Sequence, residues 1–262
     1  MNKKYMAAAG LALALAACNS TTKGDKAALE AEARWKNYNV GTIHFEDKSP
    51  ETEGSRLYKK LIPDPKAYIA TQARKVLNTL YFGPQDSIVP VHNLYYRLED
   101  IDGISAKGGG DGEISIFYST RHVEKSFADQ DTAKVDFETR GVLYHELTHA
   151  YQLEPQGIGT YGTNKTFWAF IEGMADAVRV ANGGFHDEVD RPEGGNYDDG
   201  YRTTGYFLVW VRNTKDPDFL RKFNRTALEV IPWSFEGAFK KVLGEQCEVA
   251  ELWKEYQQSI KK

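Results

Sequence analysis

His145-Glu146-Leu147-Thr148-His149 is the stretch of this chain whose residue types and spacing are suited to chemistry. Positions i and i+4 of a helix lie one turn apart on the same face, so two imidazoles at that spacing can hold one cation between them. The carboxylate beside the first histidine then leans toward a water on that cation, which is the arrangement of a zinc hydrolase with Glu146 as general base. A catalytic zinc takes three protein ligands and keeps a further position open. The third ligand is sought in Ile171-Glu172-Gly173-Met174-Ala175-Asp176, where Glu172 and Asp176 are again four apart on one face. Glu172 is favoured, which leaves Asp176 to accept a hydrogen bond from the far nitrogen of a ligating histidine and fix its tautomer. Asp176 as the ligand itself stays open as the alternative.

Zinc in such a site lowers the pKa of its water toward about 7 and polarises a carbonyl, while Glu146 takes the water's proton and passes it to the leaving amine. The expected reaction is peptide hydrolysis. An oxyanion needs a further donor, and Gly200-Tyr201-Arg202-Thr203-Thr204-Gly205-Tyr206 offers two tyrosines and an arginine. Substrate is expected to lie along an exposed strand edge, with 114–117 as the candidate strand. Two other metalloprotease layouts fare worse. The extended pattern with a glycine and a third histidine fails because Gln152 and Pro155 occupy those positions, and Gly159-Thr160-Tyr161-Gly162 contains no aspartate ligand.

The elements that must position these residues follow from periodicity. Helical spacing covers 135–153, with Leu143, Leu147, Ala150 and Tyr151 on the buried face, and 167–181, where Phe170, Ile171, Met174, Ala175 and Val178 leave little polar surface. Asp64-Pro65 starts an earlier helix that runs to Tyr81, and further helices are expected at 203–212, 218–225, 235–243 and 249–256. Strands are expected at 40–45, 88–98 (broken by Pro90) and 113–117. Residues 47–55 and Asp100-Ile101-Asp102-Gly103 read as turns, and Lys107-Gly108-Gly109-Gly110-Asp111-Gly112 as a turn or flap without a phosphate-loop ending. Strands first and helices later indicate an α+β fold: a small mixed sheet with the active-site helix, then a mainly helical C-terminal half.

Composition narrows the partners. The chain has 262 residues, a net charge of −4 and 27% charged residues, which excludes both a disordered polyelectrolyte and a basic nucleic-acid binder. Lys3-Lys4, the apolar stretch 6–17 and Leu15-Ala16-Ala17-Cys18 form a lipobox, too short to span a bilayer. Residues 1–17 are therefore expected to be a lipoprotein signal peptide, 18–33 a tether lipidated at Cys18, and 34–262 the catalytic domain, acting as a monomer. The acyl chains would anchor it in the cell envelope, at the outer membrane of a Gram-negative bacterium. The only other cysteine, Cys247, is expected to be a packed thiol. His44, His92, His122 and His186 lack paired spacing, and the acidic stretch from Asp187 to Asp199 matches no calcium loop.

Several motifs in one order carry a resemblance: Asp64-Pro65-Lys66-Ala67-Tyr68, Glu99-Asp100-Ile101-Asp102-Gly103, Gly141 through His149, Ile171 through Asp176, and Gly200-Tyr201 through Phe207-Leu208. Together they resemble the plant basic secretory protein family, regarded as metallopeptidases of plants and bacteria with a zincin-like domain. The resemblance implies metallopeptidase roles for His145, Glu146, His149 and the Glu172/Asp176 pair, and favours Tyr201 over Tyr206. This chain departs from the family's name in being acidic, and its lipobox replaces simple secretion. The rival expectation is an inactive zincin scaffold that captures protein or glycan, although such a binder would have no need of Glu146.

Overall fold

A computed structural model describes residues 33–261. The expected signal peptide, Cys18 and the tether up to residue 32 lie outside the described residues. Strand β1 (Thr42–Asp47) is followed by helices α1 (Glu53–Leu61) and α2 (Pro65–Leu80). Then come β2 (Asn93–Glu99), β3 (Ser105–Gly110) and β4 (Glu113–Ser119). The rest is helical: α3 (Thr120–Ser126), α4 (Thr132–Tyr151), α5 (Lys165–Ala181), α6 (Asp187–Asp190) and α7 (Tyr201–Thr214). The chain closes with α8 (Phe219–Glu229), α9 (Phe235–Leu243) and α10 (Val249–Ile260). This is the α+β architecture expected, with a four-stranded mixed sheet.

The sheet order is β1-β2-β4-β3, with β1, β2 and β4 parallel and β3 antiparallel to β4. Alternation sets its buried face: Leu94, Tyr96 and Leu98 of β2 and Ile114, Ile116 and Tyr118 of β4 point into the core. The glycine-rich segment is where the sequence expectation fails. Lys107 to Gly110 belong to edge strand β3, and the turn shrinks to Asp111-Gly112, at φ +52° and +82°. Asp-Gly is the two-residue hairpin signal, because both positions must take positive φ to match the twist of the flanking strands. The candidate substrate strand 114–117 is corrected for the same reason: it lies in β4, hydrogen-bonded on both sides, and β3 forms the edge on that side of the sheet.

Besides the short α6, two further helices escaped periodicity. Helix α1 begins inside the stretch expected to be a turn, where Thr52 accepts from the Ser55 N–H, Glu53 sits in the first turn, and Lys59 and Lys60 in the last. Helix α3 follows β4 directly, capped by Ser119. Elsewhere local signals hold, as at α2, where the Asp64 side chain accepts from the Ala67 N–H with Pro65 in the first turn.

Helix α4 packs on α2, α5 and the edge strand β3. From Thr139 to Tyr151 it is buried on nearly every side. Helices α5 and α7 approach closely through two glycines. A Cβ on Gly173 would lie 2.4 Å from Thr204 Cγ2, and one on Gly205 would lie 2.9 Å from Asp176 Cβ. Only the missing side chains let the two backbones meet at that distance. The C-terminal helices enclose an aromatic cluster in which Phe207 stacks on Phe239 at 5.5 Å and Phe219 on Phe223 at 5.2 Å. No helix of the described residues is long and apolar enough to cross a membrane.

Candidate metal centre

One turn of α4 puts the His145 and His149 rings on the same side, with their Nε2 atoms 3.0 Å apart. Helix α5 brings Glu172 to them, its Oε2 lying 3.2 Å from His145 Nε2 and 3.6 Å from His149 Nε2. Glu172 is 4% exposed, and its Oε2 is buried with no hydrogen-bond partner among the described residues. An orphaned carboxylate oxygen facing two imidazole nitrogens costs free energy unless something positive sits among them. The three residues could hold a metal ion, their donor atoms lying within 4.8 Å of one another, and no second such group occurs among the described residues. Asp176, one turn along α5, reaches the other side of His145, with Oδ1 2.7 Å from Nδ1.

The structure adds residues that spacing did not reveal. Gln152, just past the end of α4, has its amide Nε2 2.8 Å from His149 Nδ1, and its buried Oε1 has no partner among the described residues. Turning that amide over presents Oε1 to an Nδ1–H, the tautomer that frees His149 Nε2 for a cation. Tyr161, in the connection from α4 to α5, donates its hydroxyl to Glu172 Oε1 at 2.6 Å. Ser105, Ala106 and Lys107 of β3 border the resulting cleft of about 360 Å³, which Phe167 and Ile171 line on the other side.

The two glutamates sit in opposite fields. Burial raises the pKa of Glu146, and the nearby imidazoles of His145 and His149 only partly offset it. Burial would raise Glu172 too, but His145, His149 and the Tyr161 hydroxyl reverse that and hold it well below the usual carboxylate range. Burial pulls His145 down, and the Asp176 and Glu172 carboxylates outweigh it, pushing it up to about 10. The pocket is therefore strongly cation-favouring, and a proton and a metal compete for the same imidazole.

Of the two tyrosines considered as donors, Tyr201 lines the cleft. Its ring lies 6.1 Å from that of His145 and it is 47% exposed. Its φ of +41° is a conformation that non-glycine residues rarely adopt, held at the first residue of α7. Among the described residues its hydroxyl makes no hydrogen bond. Tyr206 is buried against Phe185, away from the cleft, and Arg202 pairs with Asp190 at 3.3 Å.

Residues 40–256 match the protein family described as BSP, peptidase of plants and bacteria. The chain belongs to this family. No curated protein and no solved structure matches it. The BSP match contains every residue of the cleft and agrees with the resemblance to basic secretory proteins carried by the motifs. It assigns the chain to a peptidase family without naming a metal or a substrate.

Proposed function

We propose that this BSP-family chain is a zinc-dependent metallopeptidase of the cell envelope. The observation that carries the reading is the convergence of His145 Nε2, His149 Nε2 and the unpartnered Glu172 Oε2 beside the buried Glu146, in a cleft bordered by an open strand edge. His145, His149 and Glu172 would hold the ion, a two-imidazole, one-carboxylate set that suits zinc, with Asp176 orienting His145. When bound, zinc supplies a Lewis acid that acidifies water and polarises a carbonyl. Glu146, its pKa raised by burial, takes the water's proton and delivers it to the leaving amine. The Tyr201 hydroxyl donates to the oxygen on which negative charge develops. Substrate main chain pairs with β3, whose Gly108, Gly109 and Gly110 carry no side chains to hinder a second strand.

The same reading places the chain, acting as a monomer, on the membrane through lipid at Cys18, at the outer membrane of a Gram-negative cell. Its support is the Leu15-Ala16-Ala17-Cys18 sequence behind a short apolar stretch.

The test compares zinc content and cleavage of a mixed peptide library for the wild type and Glu146→Gln. Both are expected to carry zinc, and the variant to cleave about 10²–10⁴-fold more slowly. Zinc in both with cleavage by neither would overturn the peptidase reading and favour a scaffold that captures protein or glycan.

A further inference from the structure

His145 is oriented by Asp176 and His149 is contacted by Gln152, so two of the three candidate ligands have a neighbour that decides which atom faces the others. The third, Glu172, poses a harder orientational problem. A carboxylate offers two equivalent oxygens and about four lone-pair directions. Free to rotate about its last bond, it would present either oxygen, or both, to an ion.

The Tyr161 hydroxyl removes that freedom. It donates to Oε1 at 2.6 Å, which leaves Oε2 alone to face the imidazole nitrogens, and Oε2 is the buried oxygen with no partner among the described residues. The turn that carries Tyr161 is itself held. The Thr160 N–H donates to Thr163 Oγ1 at 3.0 Å, a Cβ on Gly159 would lie 2.9 Å from that same oxygen, and Asn164 caps α5 by accepting from the Thr166 and Phe167 N–H groups. Tyr161 is thus tied to the first turn of the helix that carries Glu172. Its ring is 47% exposed and lines the cleft, so the hydroxyl is not simply filling core space.

We infer that Tyr161 is the positioning residue that makes Glu172 a one-oxygen metal ligand, committing Oε1 to a hydrogen bond and leaving Oε2 as the oxygen that would hold an ion. The two cleft tyrosines then divide the work: Tyr161 acts through Glu172, and Tyr201, exposed in the cleft, meets the substrate. This inference rests on the metal-centre part of the proposed function, so its test reads metal binding and not peptide cleavage.

Wild type, Tyr161→Phe and Tyr201→Phe are stripped of metal and checked for equal circular dichroism and denaturation midpoints. Each is then titrated with zinc against a chromophoric chelator and, separately, loaded with cobalt(II) for its visible spectrum. Tyr161→Phe is expected to bind zinc about 10–100-fold more weakly, as outer partners of metal ligands do. Its cobalt absorption is expected to weaken as both carboxylate oxygens engage and the coordination number rises. Tyr201→Phe is expected to match wild type in both measurements. An unchanged zinc affinity and cobalt spectrum in Tyr161→Phe would overturn the inference. A wild-type chain that binds neither metal would instead overturn the metal-centre reading beneath it.

Discussion

Glu172 and Asp176 occupy equivalent steps of one helix face yet meet opposite nitrogens of His145, and the proposed metal centre gives them different jobs on that ground. Oε2 of Glu172 faces both Nε2 atoms, whereas Asp176 touches only the Nδ1 of His145. Removing Glu172 leaves two nitrogen donors, so Glu172→Ala is expected to lose zinc on dialysis. Asp176→Ala is expected to retain it with an affinity weakened about 10–100-fold, measured by chelator competition. The reverse result would hand the ligand role to Asp176. Both pairs were visible in the sequence because i, i+4 spacing on a helix dictates a shared face. Gln152 and Tyr161 were not. Gln152 entered only as a residue that breaks an extended zinc pattern, and Tyr161 only as part of a Gly-Thr-Tyr-Gly string, since neither has a fixed spacing to the side chain it serves. The opposite shifts of Glu146 and Glu172 are likewise a matter of surroundings: one carboxylate is buried with few partners, and the other faces two histidines and a tyrosine.

Helix α4 carries a second polar tie, about two turns before the motif. Glu138 Oε2 lies 3.8 Å from His122 Nε2 of α3 and 3.3 Å from Arg179 Nη2 of α5, so one carboxylate links three helices. His122 and Arg179 hold its pKa below the usual glutamate range against the opposing effect of burial. A carboxylate depressed in the folded state adds stability above its unfolded pKa of about 4.3 and loses it as pH falls through the lower folded value. Denaturant midpoints are therefore expected to drop below about pH 4.5 in the wild type, and Glu138→Gln to flatten that acid limb while lowering stability at pH 7. The elements that sequence reading missed failed for identifiable reasons. Strand β3 is half glycine and has no alternating apolar pattern, so pairing with β4 decides it. Helix α1 presents its caps clearly but lies behind a run of turn-formers, and α3 is only seven residues long. Helix α5 was legible because its apolar face repeats over four turns, and α4 because of its length, its apolar run and the i, i+4 histidines.

On the scale of the molecule, the candidate ligands come from two helices, so an ion bound there ties α4 to α5 in the native state only. Zinc at about 100 times its dissociation constant should add about 2.7 kcal/mol, or a melting-temperature rise of roughly 5–10 °C for a chain of this size. Differential scanning calorimetry with zinc and then with excess chelator checks this, and Glu172→Ala is expected to show no such difference. Zinc would then supplement a core that already encloses both helices. The chain's local chemistry was enough for the His-Glu-x-x-His spacing, the two helices that carry the candidate ligands and the short motifs of the peptidase-family likeness, because each depends on neighbours within a few residues. Which strand is the edge, which tyrosine meets Glu172, and which oxygen of that carboxylate stays free were decided by packing. Those contacts join segments that only the hydrophobic core, and the close passage of α5 and α7 across Gly173 and Gly205, bring within hydrogen-bonding distance.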